Sequence, residues 1–156
     1  MRPKIKRSEI PYPTEWEEQC AVVKWAEMMV ETGQEPRLKF LVGSASGARL
    51  TVGNLMKLKR AGVIKKAWPD LHLAVAHFSS HDNQYFSIFI ELKRVKGGVL
   101  SPEQSEMHKL LRDEGNKVVV CKGADAAIET IRQYLGIDKR EEPVYSVNWG
   151  RLEGVK

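Results

Sequence analysis

The sequence predicts an α/β protein, one mixed sheet flanked by helices. Three observations lead there. Helical and strand periodicities alternate along the chain in the order α, β, α, β, β, α, β, α. Two neighbouring apolar strands are separated by the polar run Ser79-Ser-His-Asp-Asn-Gln84, which reads as a hairpin. A strand, a capped helix and a second strand follow, the pattern of a parallel βαβ unit with a right-handed crossover. With 156 residues, 42% hydrophobic and 29% charged, the chain has the size and composition of one globular domain.

Residues 1–13 are rich in Lys, Arg and Pro and read as a basic arm. Thr14 stands at an N-cap position ahead of Glu15, Glu17 and Glu18, acids that favour the positive end of a helix dipole. Val22, Val23, Trp25, Ala26 and Met29 repeat at helical spacing until Thr32-Gly33 ends the helix. Leu38 to Val42 reads as a short strand, followed by the flexible loop Gly43-Ser-Ala-Ser-Gly47. Gly53 to Ala61 forms a second helix with Leu55, Met56 and Leu58 inward and Lys57, Lys59 and Arg60 outward.

Pro69-Asp70 opens a strand from Leu71 to about Phe78, and Tyr85 to Lys93 returns as its partner. Ser101 as N-cap and Pro102 at the first helical position start a helix that runs to about Glu114, where Gly115 ends it. Lys117 to Cys121 is read as a buried strand, and Ala124 to Leu135 as an amphipathic helix. Residues 137–156 form a charged and then aromatic tail.

Lys plus Arg number 25 against 20 Asp plus Glu, a net charge of +5, which suits a polyanionic partner such as nucleic acid. No apolar run approaches the ~20 residues needed to span a bilayer, and no apolar h-region follows the basic start. A soluble, cytoplasmic protein without a membrane partner is expected. Cys20 and Cys121 form no C-x-x-C motif and are read as small buried hydrophobes in a reducing compartment. Gly43 to Gly47 lacks the Lys-Ser/Thr of a phosphate-binding loop, so no nucleotide cofactor is expected. His72, His77 and His81 have neither the spacing nor the cysteine partners of a zinc site.

The chemistry concentrates at Asp70 and at Glu91-Leu92-Lys93. Strand side chains alternate, so Glu91 and Lys93 share a face. In a hairpin turning near residues 80–84, the start of the first strand meets the end of the second, which lands Asp70 beside Glu91 and Lys93. Two carboxylates and the main-chain carbonyl of Leu92 are hard oxygen donors of the kind Mg²⁺ takes. A cation held there would make its water more acidic, with the Lys93 ammonium placed to orient that water or offset charge on phosphorus. Glu91 ends the apolar run Ile88-Phe-Ile90, where an isolated charge is otherwise disfavoured.

These motifs resemble a known family. Trp68-Pro-Asp-Leu-His-Leu73, Phe89-Ile-Glu-Leu-Lys93 and Gly97-Gly-Val-Leu-Ser-Pro-Glu-Gln104 are similar to the PD-(D/E)xK nuclease superfamily and, within it, to the stand-alone VRR-NUC domain of phages and bacteria. Gly115-Asn-Lys-Val-Val-Val120 and Tyr134-Leu135 also match, so the likeness spans about residues 14–136. It implies a restriction-endonuclease-like αβββαβ core and Mg²⁺ or Mn²⁺ bound by Asp70 and Glu91. It further implies that Lys93 assists the nucleophilic water. The family's E-x-x-x-Q helix is matched by Glu15 and Gln19, implying a helix carboxylate near the metal, with Glu18 a competing acid. Gln104 matches the S-P-x-Q glutamine, implied to position Lys93 or a phosphate. The chain departs from the family's G-V-P-D, because Ala67 and Trp68 precede Pro69-Asp70, and Ser87 stands where glycine is frequent.

The resemblance implies a metal-dependent DNA endonuclease directed at branched DNA such as a Holliday junction. Arg49, Lys57, Lys59, Arg60, Lys65, Lys66, Arg94 and Lys96 flank the acids in sequence and are expected to hold DNA phosphates. Symmetric cutting of two strands calls for a twofold homodimer, with the tail around Val144, Tyr145, Val147 and Trp149 as the expected dimer arm. A non-catalytic DNA-binding accessory protein and a sequence-specific restriction-type enzyme are the competing readings.

Overall fold

The structure, a computed structural model, describes residues 12–45, 48, 50–78 and 84–137. The basic arm up to residue 11, Arg49, the polar turn 79–83 and the tail from residue 138 lie outside the described residues.

Helix α1 (Glu15–Glu31) starts at a capping box: Thr14 Oγ1 accepts from the Glu17 N–H, and the Glu17 carboxylate accepts from the Thr14 N–H at 2.7 Å. Strand β1 (Leu41–Gly43), helix α2 (Val52–Arg60), strands β2 (Leu71–Leu73) and β3 (Ile88–Lys93), helix α3 (Pro102–Asp113), strand β4 (Lys117–Lys122) and helix α4 (Ala124–Leu135) follow. The four strands form one mixed sheet in the order β1-β2-β3-β4; β1, β2 and β3 are antiparallel neighbours and β3 pairs parallel with β4. The expected α/β class, the hairpin pairing and the parallel βαβ unit are all present.

Strand β3 is buried along its whole length because it is central in the sheet and covered on both faces. Ile88, Ile90 and Leu92, with Leu71 and Leu73, pack in one core with Val22, Trp25, Ala26 and Met29 of α1 and Ala127, Ile131 and Leu135 of α4. Each Val, Leu, Ile or Met side chain among them contributes roughly 1.5–3 kcal/mol when withdrawn from water. The alternate residues face α3: Phe89 clusters with Leu111 and Val118, flanked by Trp68 and Met107. On this face His72 stacks on Phe89, its register partner, with ring centroids 4.1 Å apart, and Trp68 meets Phe89 edge-on.

Several local expectations are corrected. Pro36–Phe40 is a 3₁₀ helix, because Pro36 takes the first turn and Glu35 Oε1 accepts from the Arg37 N–H; the strand begins only at Leu41. Strand β2 stops at Leu73, and among the described residues beyond it the hairpin is joined by the isolated His77–Tyr85 bridge. Helix α2 has no buried residue, and Met56, expected inward, is exposed. Strand β4 lies at the sheet edge with Val120 exposed, so it is only half-buried. Cys20 is exposed while Cys121 is buried, and both are free thiols.

Candidate active site

The register that pairs Leu71 with Ile90 continues to Asp70 opposite Glu91. The strand bends at Asp70, so its carboxylate takes over where the ladder stops: Asp70 Oδ2 accepts from the Leu92 N–H at 2.8 Å. In a strand the N–H and C=O of one residue face the same neighbour, which turns the Leu92 carbonyl toward Asp70 as well. The Asp70 main chain is tied in turn to the next strand, its carbonyl accepting from the Ser44 N–H at 2.7 Å. Ser44 is held by α1, since Gln19 Nε2 donates to the Ser44 carbonyl at 2.8 Å. Gly43 makes this contact possible, because a Cβ there would lie 2.5 Å from Gln19 Nε2.

Glu91 is 1% exposed, an environment in which an unpaired carboxylate is costly. Its Oε1 accepts from Lys93 Nζ at 2.7 Å and from Gln104 Nε2. Gln104 is also the third residue of α3 and completes the Ser101 capping box, accepting from the Ser101 N–H at 3.1 Å. Among the described residues Glu91 Oε2 has no hydrogen-bond partner, and His108 Nε2 lies 3.4 Å away. Lys93 is buried as well, and Gly98 packs on it, a Cβ at Gly98 being 2.8 Å from Lys93 Cβ.

The electrostatics follow from burial. Desolvation, reinforced by the charge on Glu91, pushes the Asp70 carboxyl up to about 6 against the downward pull of the Leu92 N–H. Desolvation also raises Glu91, opposed by its hydrogen bond and ion pair with Lys93 and assisted by Glu15. Desolvation lowers His108, with Arg112 and Lys93 adding to the effect, which favours a neutral imidazole.

Asp70, Glu91, Lys93 and Gln104 converge on the α3 side of the sheet. Glu15 joins their electrostatic field, raising both acids, and its Oε1 lies 3.4 Å from the Arg94 N–H. Glu18 faces elsewhere: its Oε2 accepts from the Ala124 N–H at 2.7 Å and so caps the start of α4. Lys57, Lys59 and Arg60 lie on exposed α2, and Lys65 sits over the Trp68 ring. Lys66 pairs with Glu103 at 3.1 Å, Lys96 sits over Tyr12, and Arg94 is exposed. His108 belongs to none of the motifs read from the sequence. Its spacing of four from Gln104 places it on the same helix face, which is the signal the sequence carries for it.

Among the described residues no three His, Cys, Asp or Glu side chains form a ready-made metal cage. The donor set fits Mg²⁺ or Mn²⁺ nonetheless: Mg²⁺ keeps several waters and is commonly held by one or two carboxylates plus substrate phosphates. The buried Glu91 Oε2 lacking a hydrogen bond is the atom that most needs such a partner.

Compared with protein-family models and with curated proteins, the chain matches none. Among solved structures it is similar to one described as a "VRR_NUC domain protein", with a TM-score of 0.62 and 28% identity over 81% of this chain and 92% of that one. No helix among the described residues is long and apolar enough to cross a membrane. The likeness first carried by the Pro69-Asp70, Glu91-Leu92-Lys93 and Ser101-to-Gln104 motifs therefore extends to three dimensions, and the chain folds as a VRR-NUC-like, nuclease-type α/β domain.

Proposed function

We propose that this protein is a metal-dependent DNA endonuclease acting on branched DNA. The observation that carries the reading is the juxtaposition of half-buried Asp70 with buried Glu91 and Lys93, an arrangement that raises both carboxyls and is costly unless a cation offsets it. Asp70, Glu91 and the Leu92 carbonyl would hold Mg²⁺ or Mn²⁺, with Glu15 as the acid of α1 whose charge acts on both carboxyls. When bound, the ion supplies a water acidic enough to act as nucleophile and offsets charge on the phosphate.

The protein's own residues divide the remaining work. Lys93 holds Glu91 Oε1 and presents its ammonium beside the acids, where it can orient a water or stabilise charge developing on phosphorus. Gln104 fixes the same oxygen from α3. Lys57, Lys59, Arg60, Lys65, Lys66, Arg94 and Lys96 supply phosphate contacts that position DNA without reading its sequence. Two sites related by a twofold axis would cut opposed strands, so a homodimer is part of the proposal.

The test is nicking of supercoiled plasmid and of four-way junctions in Mg²⁺, Mn²⁺ or EDTA by wild type, Glu91→Gln and Lys93→Ala. Wild type should cut only with metal, prefer the junction, and exceed both variants by at least about 100-fold. Equal residual cutting by all three proteins would refute the assignment.

A further inference from the structure

The geometry points to His108 as a positioning residue that holds the second oxygen of the Glu91 carboxylate in place for the metal. The inference rests on the reading of Asp70 and Glu91 as metal ligands and extends it to a residue outside the motifs. His108 lies one helical turn after Gln104 on α3, so both side chains leave the helix toward the sheet. Gln104 Nε2 and Lys93 Nζ both engage Glu91 Oε1, which leaves Oε2 facing the imidazole, 3.4 Å from His108 Nε2.

Three atoms here have no hydrogen-bond partner among the described residues: Glu91 Oε2 and both ring nitrogens of His108. The imidazole is completely buried. Leaving a buried donor and a buried acceptor unmade within reach of each other is unfavourable for both, and the simplest resolution is that they bond to each other. Apo sites commonly hold such contacts long, and these tighten when ligand binds. A carboxylate oxygen has two lone pairs, so Oε2 can accept from His108 and still face a cation. Partners behind a ligating carboxylate typically matter 10–100-fold in metal affinity.

This role requires the tautomer that carries its proton on Nε2, which makes it testable without metal. A long-range ¹⁵N–¹H correlation spectrum of the full chain in EDTA should show His108 as the Nε2–H tautomer, with its resonances shifted by Glu91→Gln. The Nδ1–H tautomer would overturn the role. Mn²⁺ binding, followed by calorimetry, should weaken 10–100-fold in His108→Leu and return to within about threefold of wild type in His108→Gln, whose amide nitrogen reaches the Nε2 position.

If His108→Leu binds Mn²⁺ like wild type, or both variants lose binding together with a lowered melting temperature in EDTA, His108 is only a packing residue. The parent reading fails separately: wild type, Asp70→Asn and Glu91→Gln would then give the same flat Mn²⁺ isotherm, and the role of His108 would fall with it.

Discussion

Gln104 and Glu91 are joined by a side chain with two duties. The amide of Gln104 donates to Glu91 Oε1 while its oxygen accepts from the Ser101 N–H at 3.1 Å. The start of α3 and the acid of β3 are therefore positioned by one residue. Replacing Gln104 with Ala removes both bonds and should cost about 1–2 kcal/mol of stability. Gln104→Glu keeps an oxygen for the capping box but sets a third carboxylate against Glu91. It should retain helix content by circular dichroism and lose most cutting, and full activity in that variant would separate Gln104 from the site.

The acid pair makes the metal-free protein pH-sensitive in a defined direction. Asp70 titrates near 6 in the folded chain against an ordinary value of 3.8, so the folded state binds the extra proton between those values. Stability from this group is present when it is protonated and falls as pH rises from about 4 to about 6, by up to about 3 kcal/mol. Asp70→Asn, which can still accept from the Leu92 N–H, should abolish that part of the fall. In EDTA it should melt higher than wild type at pH 7, whereas Mg²⁺ should stabilise only the wild type. Melting curves across pH 4–8, with and without Mg²⁺, measure both effects.

Ala67 has φ +60, the left-handed region that favours glycine, three residues before Asp70. It occupies the place where the resembling family carries its glycine. Ala67→Gly should therefore stabilise the fold by about 1 kcal/mol in urea unfolding. A loss of stability would mean that the methyl group packs usefully.

Gly98 is needed for lack of a side chain. A Cβ there would stand 2.8 Å from Lys93 Cβ and 2.9 Å from the Arg94 nitrogen, both close to the backbone and unable to swing away. Gly98→Ala should cost about 1–3 kcal/mol and lower cutting more than it lowers DNA affinity, because the displaced group is Lys93.

Helix α2 contributes no buried residue, so its charges can be reversed cheaply. Lys57→Glu, Lys59→Glu and Arg60→Glu combined should leave the melting temperature nearly unchanged. They should weaken DNA binding and reduce the slope of log affinity against log salt by roughly one per lost phosphate contact. An unchanged slope would move the DNA path away from α2.

Local signals determined much of this protein. Thr14 and Glu17, and Ser101 and Gln104, announce their helices because capping satisfies main-chain groups within one turn. The two-residue period of a strand places Glu91 and Lys93 on one face, and antiparallel pairing of neighbouring strands brings Asp70 opposite Glu91. Those relationships need only short stretches of chain. Local pattern did not determine which helix carboxylate faces the acids, since Glu15 and Glu18 lie on the same helix. Only the docking of α4 against α1 sends Glu18 to the Ala124 N–H. The same limit applies to the exposed face of α2, the edge position of β4 and the approach of His108 to Glu91. Each depends on which surface another element covers, and that is set by packing across the whole sheet, where contacts distant in sequence override local periodicity.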